Sequence, residues 1–197
     1  MFATLTRLKI LIKISICDNH NMKYGKLNFV DVSQELNLIV APTGQAIKRY
    51  ELPDVLVSEI DPTLADTAAF CEAYDIGMDV SVNCVIVEAT RADKTWYAAC
   101  VILATNRADI NGVVRRCLDA RKISFAPMDS ATSMTRMEYG GITPIGLPDD
   151  WPLIVDEAIM HKDRVIIGSG IRGSKLLVPC SIFEKLPNVV IMDIAKE

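Results

Sequence analysis

Apolar residues recur along this chain in short runs bounded by polar turns, more often at strand than at helix spacing. Runs rich in Val, Ile, Leu and aromatics occupy residues 55–60, 84–88, 97–103, 123–126, 153–155, 164–167, 175–178 and 189–192. Each predicts a strand, and 27–32 adds a further short apolar segment. A polar turn at 90–94 joins two of these runs. Helical signals fall between them. A loop at 41–44 leads into a helix reaching Tyr50. Asp66 or Thr67 can cap a helix running to about Tyr74, with Gly77 closing the region. Asp109 complements the start of a helix through Leu118, with Val113, Val114, Cys117 and Leu118 as its apolar face. Residues 131–138 and 180–186 complete the helical set. Strands outnumber helices and strict βαβ alternation is absent. The pattern predicts an α+β or mixed-barrel architecture rather than a doubly wound sheet.

The first 21 residues differ from the rest. Leu8, Ile10, Ile12, Ile14 and Ile16 alternate with other residues, while Arg7, Lys9 and Lys13 face a single acid, Asp18. The run is too short and too charged to span a bilayer. It has no obvious cleavage site. Met22 offers an alternative start, so 1–21 reads as an N-terminal extension and 22–197 as one domain. Half of the chain is apolar and 23% is charged, enough for a sizeable core. Six scattered cysteines without a CxxC pair read as packed thiols of a cytoplasmic protein. With two histidines, His20 and His161, a His-rich metal centre is excluded. The net charge of −4 argues against gripping long RNA by electrostatics, so a nucleic-acid partner is met locally or at its end.

Chemistry concentrates in YGGITPIGLP, residues 139–148. Gly140 and Gly141 permit positive φ and close approach, and Pro144 stiffens the loop, with Gly146 beyond it. Bare N–H groups on a rigid loop suit a carbonyl oxygen or developing oxyanion. An ordinary tight turn has the same composition.

The capped helix at 66–74 is followed by SVNCVIVEA, YAACVILATNRADINGVVRRCLDARKISFAPMD, TRMEYGGITPIGLP, LIVDEAI and IGSGIRGSKLLVP. In that unbroken order, over roughly residues 50–195, they resemble the YbaK/prolyl-tRNA-synthetase-associated domain family of aminoacyl-tRNA deacylases. The resemblance implies the family fold, a mixed barrel-like sheet flanked by helices. It also implies trans-editing: hydrolysis of the ester joining a wrong amino acid to the 3′ end of tRNA. Synthetase pockets reject similar small side chains poorly, so a second hydrolytic site is needed. The family's Gly-x-x-x-Pro loop falls on residues 140–144, whose main-chain N–H groups would hold the scissile carbonyl while water attacks, often helped by a substrate ribose hydroxyl. No cofactor or metal is implied. Partners implied are the acceptor end of aminoacyl-tRNA and a synthetase, with no membrane.

The resemblance also marks departures. Many family members carry lysine where this chain has Asn83, an acidic residue is common near Lys175, and the family's glycine before the loop is Arg136. An ammonium has thus moved from one place to the other, unless Lys175 simply faces solvent on its strand. Gly140, Gly141, Thr143, Pro144 and Asn83 are the expected catalytic set. Phe70, Tyr74, Gly146, Ser169, Gly170, Arg172 and Lys175 are expected to bind substrate. Phe70 and Tyr74, four apart on a helix, would wall the amino-acid pocket, although core packing is the commoner fate of such a pair. Ser169, Gly170 and Gly173 would form a second turn facing the first loop. Arg172 suits a phosphate oxygen or a surface ion pair. Asp156 reads as a helix cap, and Arg115, Arg116, Arg121 and Lys122 as a solvated basic face. Two further readings stay open: a non-catalytic module binding aminoacyl-tRNA or an amino-acid-like ligand, and a hydrolase of another small acyl ester.

Overall fold

The computed structural model describes residues 21–196. Strands β1 (Asn21–Tyr24), β2 (Leu27–Asp31) and β3 (Leu56–Glu59) belong to one five-stranded sheet of order β1-β2-β3-β9-β8. Its remaining members are β8 (Arg164–Gly168) and β9 (Ser174–Pro179), and every pairing in it is antiparallel. The second sheet has the order β10-β7-β5-β4-β6. It holds β4 (Val82–Arg91), β5 (Lys94–Leu103), β6 (Lys122–Phe125), β7 (Leu153–Asp156) and β10 (Val189–Met192). Here β7 runs parallel to both β5 and β10, so the sheet is mixed. The sheets meet where Ser81 bridges Ile166 and the Ile166 N–H donates to the Val80 carbonyl. The result is the expected α+β, barrel-like arrangement.

The largest core cluster lies between the sheets. Val57, Ala99, Val101, Val155, Ile167 and Leu176 are buried together there with Ile145 of the glycine loop. Strands β4 and β5 extend beyond their predicted ends and turn through Ala92 and Asp93, with Ala92 at φ 50°. Backbone pairing carried each strand past the apolar run that marked it.

Helices flank the sheets. α1 (Ala41–Arg49) begins where a loop was expected, because Pro42 sits in its first turn with φ suited to a helix. α2 (Thr67–Tyr74) is capped by Asp66, which accepts from the Ala68 and Ala69 N–H groups. It ends at Asp75 in the left-handed region, earlier than Gly77. Asp109 caps as expected, accepting from Gly112 and Val113 N–H, yet the segment it starts is π-helical over Ile110–Val114. It becomes α-helical only at α3 (Arg115–Cys117). Val114 and Leu118 are buried, but Cys117 is exposed, because the wider π turn rotates it off the apolar face. α4 (Met128–Thr135) stops at Arg136, which takes φ 56°, so the helix delivering the glycine loop has the predicted length but starts and ends three residues earlier. α5 (Glu157–Met160) follows β7, and Cys180–Lys185 is 3-10 rather than α. The expectations for residues 1–20 lie outside the described residues. No helix among the described residues is long and apolar enough to cross a membrane.

Candidate active site

Two loops build the site. The Glu138 N–H donates to the Gly170 carbonyl and the Gly170 N–H to the Gly141 carbonyl, both at 2.8 Å. The Glu138 carboxylate accepts from the Arg172 N–H at 2.7 Å. The two glycine turns expected to face each other are therefore stitched together. Close packing explains the glycines: a Cβ on Gly141 would lie 2.5 Å from the Ile171 carbonyl carbon, and one on Gly168 would strike the Gly141 and Ile142 carbonyls.

Beside these loops opens a cavity of about 560 Å³. Asn83 from β4, Lys175 from β9, Arg172, Gly140 and Ile142 line it, together with Thr67 at the start of α2. Within the loop, the Gly141 N–H closes a turn onto the Glu138 carbonyl. The N–H groups of Gly140 and Ile142 have no protein partner among the described residues. Two backbone donors are thus left for a ligand, and Gly140 holds φ +82°, the conformation glycine supplies without strain.

Lys175 is 8% exposed, which corrects the solvent-facing alternative. Its register partner across the sheet is Gly168, so the two project from the same sheet face. That is the face on which Gly168 abuts the Gly141 and Ile142 carbonyls. The ammonium donates to the Ala65 carbonyl at 3.2 Å and lies 5.2 Å from the Phe70 ring centroid. No carboxylate is paired with it among the described residues. Burial holds its pKa below the ordinary lysine value, and the Arg172 charge pushes the same way, against Cys71 and Asp66. The Asn83 amide accepts from the Thr67 hydroxyl at 2.7 Å, which orients it toward the start of α2. Cys84 also lines the cavity, but burial pushes its thiol far up, so it is no thiolate nucleophile at neutral pH.

Other expected site residues lie elsewhere. Thr143 is fully buried, its N–H faces the Met137 sulfur at 3.4 Å, and its hydroxyl has no partner. Pro144 and Gly146 are turned away from the cavity toward α1, where a Cβ on Gly146 would lie 2.6 Å from the Pro42 carbonyl. The Thr43 hydroxyl donates to the Ile145 carbonyl and fastens that side. Phe70 and Tyr74 pack against each other in a core cluster at 5.4 Å and do not line the cavity. Phe70 reaches the site only through Lys175. Ser169 is buried and donates to the Ile171 and Ser174 carbonyls, while Gly170 packs on Val40 at φ +97°. Asp156 caps nothing with its side chain. It is buried, one oxygen accepts a long bond from Ile194 N–H and the other has no partner. Sequence reasoning missed the cavity's apolar rim, Phe125, Met128 and Tyr139, since a single exposed apolar residue carries no signal.

The family profile of the aminoacyl-tRNA editing domain matches residues 61–185, and this chain belongs to that family. No curated protein matches it. Among solved structures, a proposed trans-editing enzyme for prolyl tRNA synthetase superposes with TM-score 0.68 at 15% identity, covering 79% of this chain and 96% of its own. A hypothetical protein superposes with TM-score 0.69 at 20% identity, covering 79% and 99%. A proposed signal transduction protein from Marinobacter aquaeolei has TM-score 0.55 at 14% identity, covering 81% of this chain but 31% of its own. These likenesses establish the shared fold.

Proposed function

We propose that this protein hydrolyses the ester bond between a mistakenly attached amino acid and the 3′ end of tRNA, in the cytoplasm and in association with an aminoacyl-tRNA synthetase. One observation carries the reading. In a chain of the editing family, two unbonded N–H groups of a rigid glycine loop and a buried lysine border one cavity of about 560 Å³.

The ester carbonyl accepts from the Gly140 and Ile142 N–H groups. Water, oriented with help from the substrate's ribose hydroxyl, adds to the carbonyl carbon. The oxyanion that forms is held by the same two donors, whose aim is fixed in advance by the stitching of the loops. The Lys175 ammonium supplies positive charge that Asn83 does not. Collapse breaks the acyl–oxygen bond, and the ribose oxygen leaves with a proton. Asn83 and Thr67 contact the amino-acid portion, and Arg172 meets a phosphate. Gly141, Gly168 and Gly170 hold the two loops against each other. Thr143, Pro144 and Gly146 set the loop's shape from behind.

Incubation with a panel of mischarged tRNAs, following amino-acid release, tests this. Release from at least one of them well above the spontaneous rate is expected. Indifference to every aminoacyl-tRNA would remove the reading. Asn83 favours a second one, a module that binds aminoacyl-tRNA without turnover. Retention of intact aminoacyl-tRNA on the protein would establish that alternative.

A further inference from the structure

Exposed apolar side chains are not spread evenly over this protein. Phe125 is 62% exposed, Tyr139 61% and Met128 53%, and all three line the mouth of the same cavity. They come from separate elements: the end of edge strand β6, the residue before Gly140 and the first residue of α4. Clustered exposed apolar surface marks a place where something binds. A charge stands beside it. The Arg172 guanidinium donates through Nε to the Pro62 carbonyl and through Nη1 to the Tyr139 carbonyl, both at 3.2 Å. It pairs with no carboxylate among the described residues. Its guanidinium is therefore fixed next to the aromatic rim without a direct ion pair, the Glu138 carboxylate being bonded to the Arg172 main-chain N–H instead, in a chain whose net charge is −4.

We propose that Phe125, Met128 and Tyr139 form a stacking platform for the unpaired bases at the RNA 3′ end, with Arg172 on an adjacent phosphate. The inference rests on the deacylase reading for the identity of the RNA. Aromatic and thioether faces hold a base without reading its sequence, and the local guanidinium orients the strand. With about one phosphate engaged, binding weakens only a few-fold between 50 and 200 mM salt.

The test uses the full chain and a fluorescein-labelled RNA hairpin ending in unpaired CCA, beside the same hairpin with abasic 3′-terminal residues. Anisotropy is expected to give tighter binding to the base-bearing end. Phe125→Ala weakens it about 5- to 100-fold and erases the preference, whereas Phe125→Trp and Tyr139→Phe retain it. Equal binding of both hairpins, or wild-type affinity in Phe125→Ala, would overturn the platform, and would leave the rim to a protein partner. Release of amino acid from mischarged tRNA, measured in parallel, separates the two readings. Base-dependent binding without release removes the deacylase and keeps the platform. Unchanged release by Phe125→Ala with unchanged binding does the reverse.

Discussion

The two halves of the glycine loop look alike as sequence and behave differently as structure. Tyr139, Gly140 and Ile142 line the cavity, and the Gly140 and Ile142 N–H groups have no protein partner among the described residues. Residues 143–146 turn into the protein, where Thr143, Pro144 and Ile145 are buried and Gly146 rests on the Pro42 carbonyl. Both halves contain a glycine at positive φ, +82° at Gly140 and +94° at Gly146. The second half is covered by its neighbours and lines no part of this cavity, so a ligand bound there reaches only the first half. Glycine content therefore locates the loop, while the neighbours decide which of its amides are available. Within the front half there is a further division. Gly140 abuts only the flexible end of Arg172, whereas Gly141 abuts Ile171 backbone.

Substitutions can break this contrast. The largest effect is expected at Gly141. In Gly141→Val the side chain collides with the Ile171 backbone and parts the two loops, so circular dichroism should show a protein that fails to fold. Gly146→Ala should fold but lose more than about 3 kcal/mol, from left-handed strain plus contact with Pro42. Its thermal melt should move far down while the folded fraction keeps its turnover. A turnover defect in the folded fraction would erase the distinction between the halves. Gly140→Ala costs only about 1–2 kcal/mol, since its neighbour is a side-chain end that can shift. Tilting the donor pair should still slow ester hydrolysis on the order of 10²-fold. Wild-type turnover there would mean that the front half is no cradle.

Lys175→Met comes next, with hydrolysis falling roughly tenfold. The sign with pH is specific. Burial lowers the folded pKa below the ordinary lysine value, so the ammonium is lost as pH rises through the lowered value. Wild-type turnover, corrected for spontaneous hydrolysis, should decline on the alkaline side, and the Met variant should lack that decline. The protonated lysine is disfavoured by the fold, so its cost is complete below the folded pKa and disappears as pH rises toward the unfolded value. The Met variant should accordingly melt higher at neutral pH, with the gain shrinking in alkali. Smallest of all is Thr143→Val. It replaces a buried, unpartnered hydroxyl by a methyl, so stability should change by no more than about 1 kcal/mol and kinetics not at all. A changed KM would put that hydroxyl back at the substrate.

Much was legible in the chain because it depended on neighbours in sequence. The α+β class followed from period-two apolar runs, and the caps by Asp66 and Asp109 from residue type and position. The order of segments carried the editing family. The glycine loop and its partner turn were found by composition. Legibility failed where a residue's fate depended on distant chain. Lys175 looked like a strand lysine until its burial beside Phe70 and its register with Gly168 appeared. Phe70 and Tyr74 were expected to wall the pocket, with core packing as the commoner fate of such a pair, and packing chose the core. Asp156 read as a cap, yet its helix starts without using it.

By itself, then, the order of residues determined which segments become strands, where helices begin, and which loop can expose main-chain donors, since these rest on local sterics and spacing. Tertiary structure alone decided which donors stay open and which cation shares their cavity. Those properties arise where β4, β9, α2 and two loops converge from distant parts of the chain. An amide is free only if nothing in the folded whole has already claimed it.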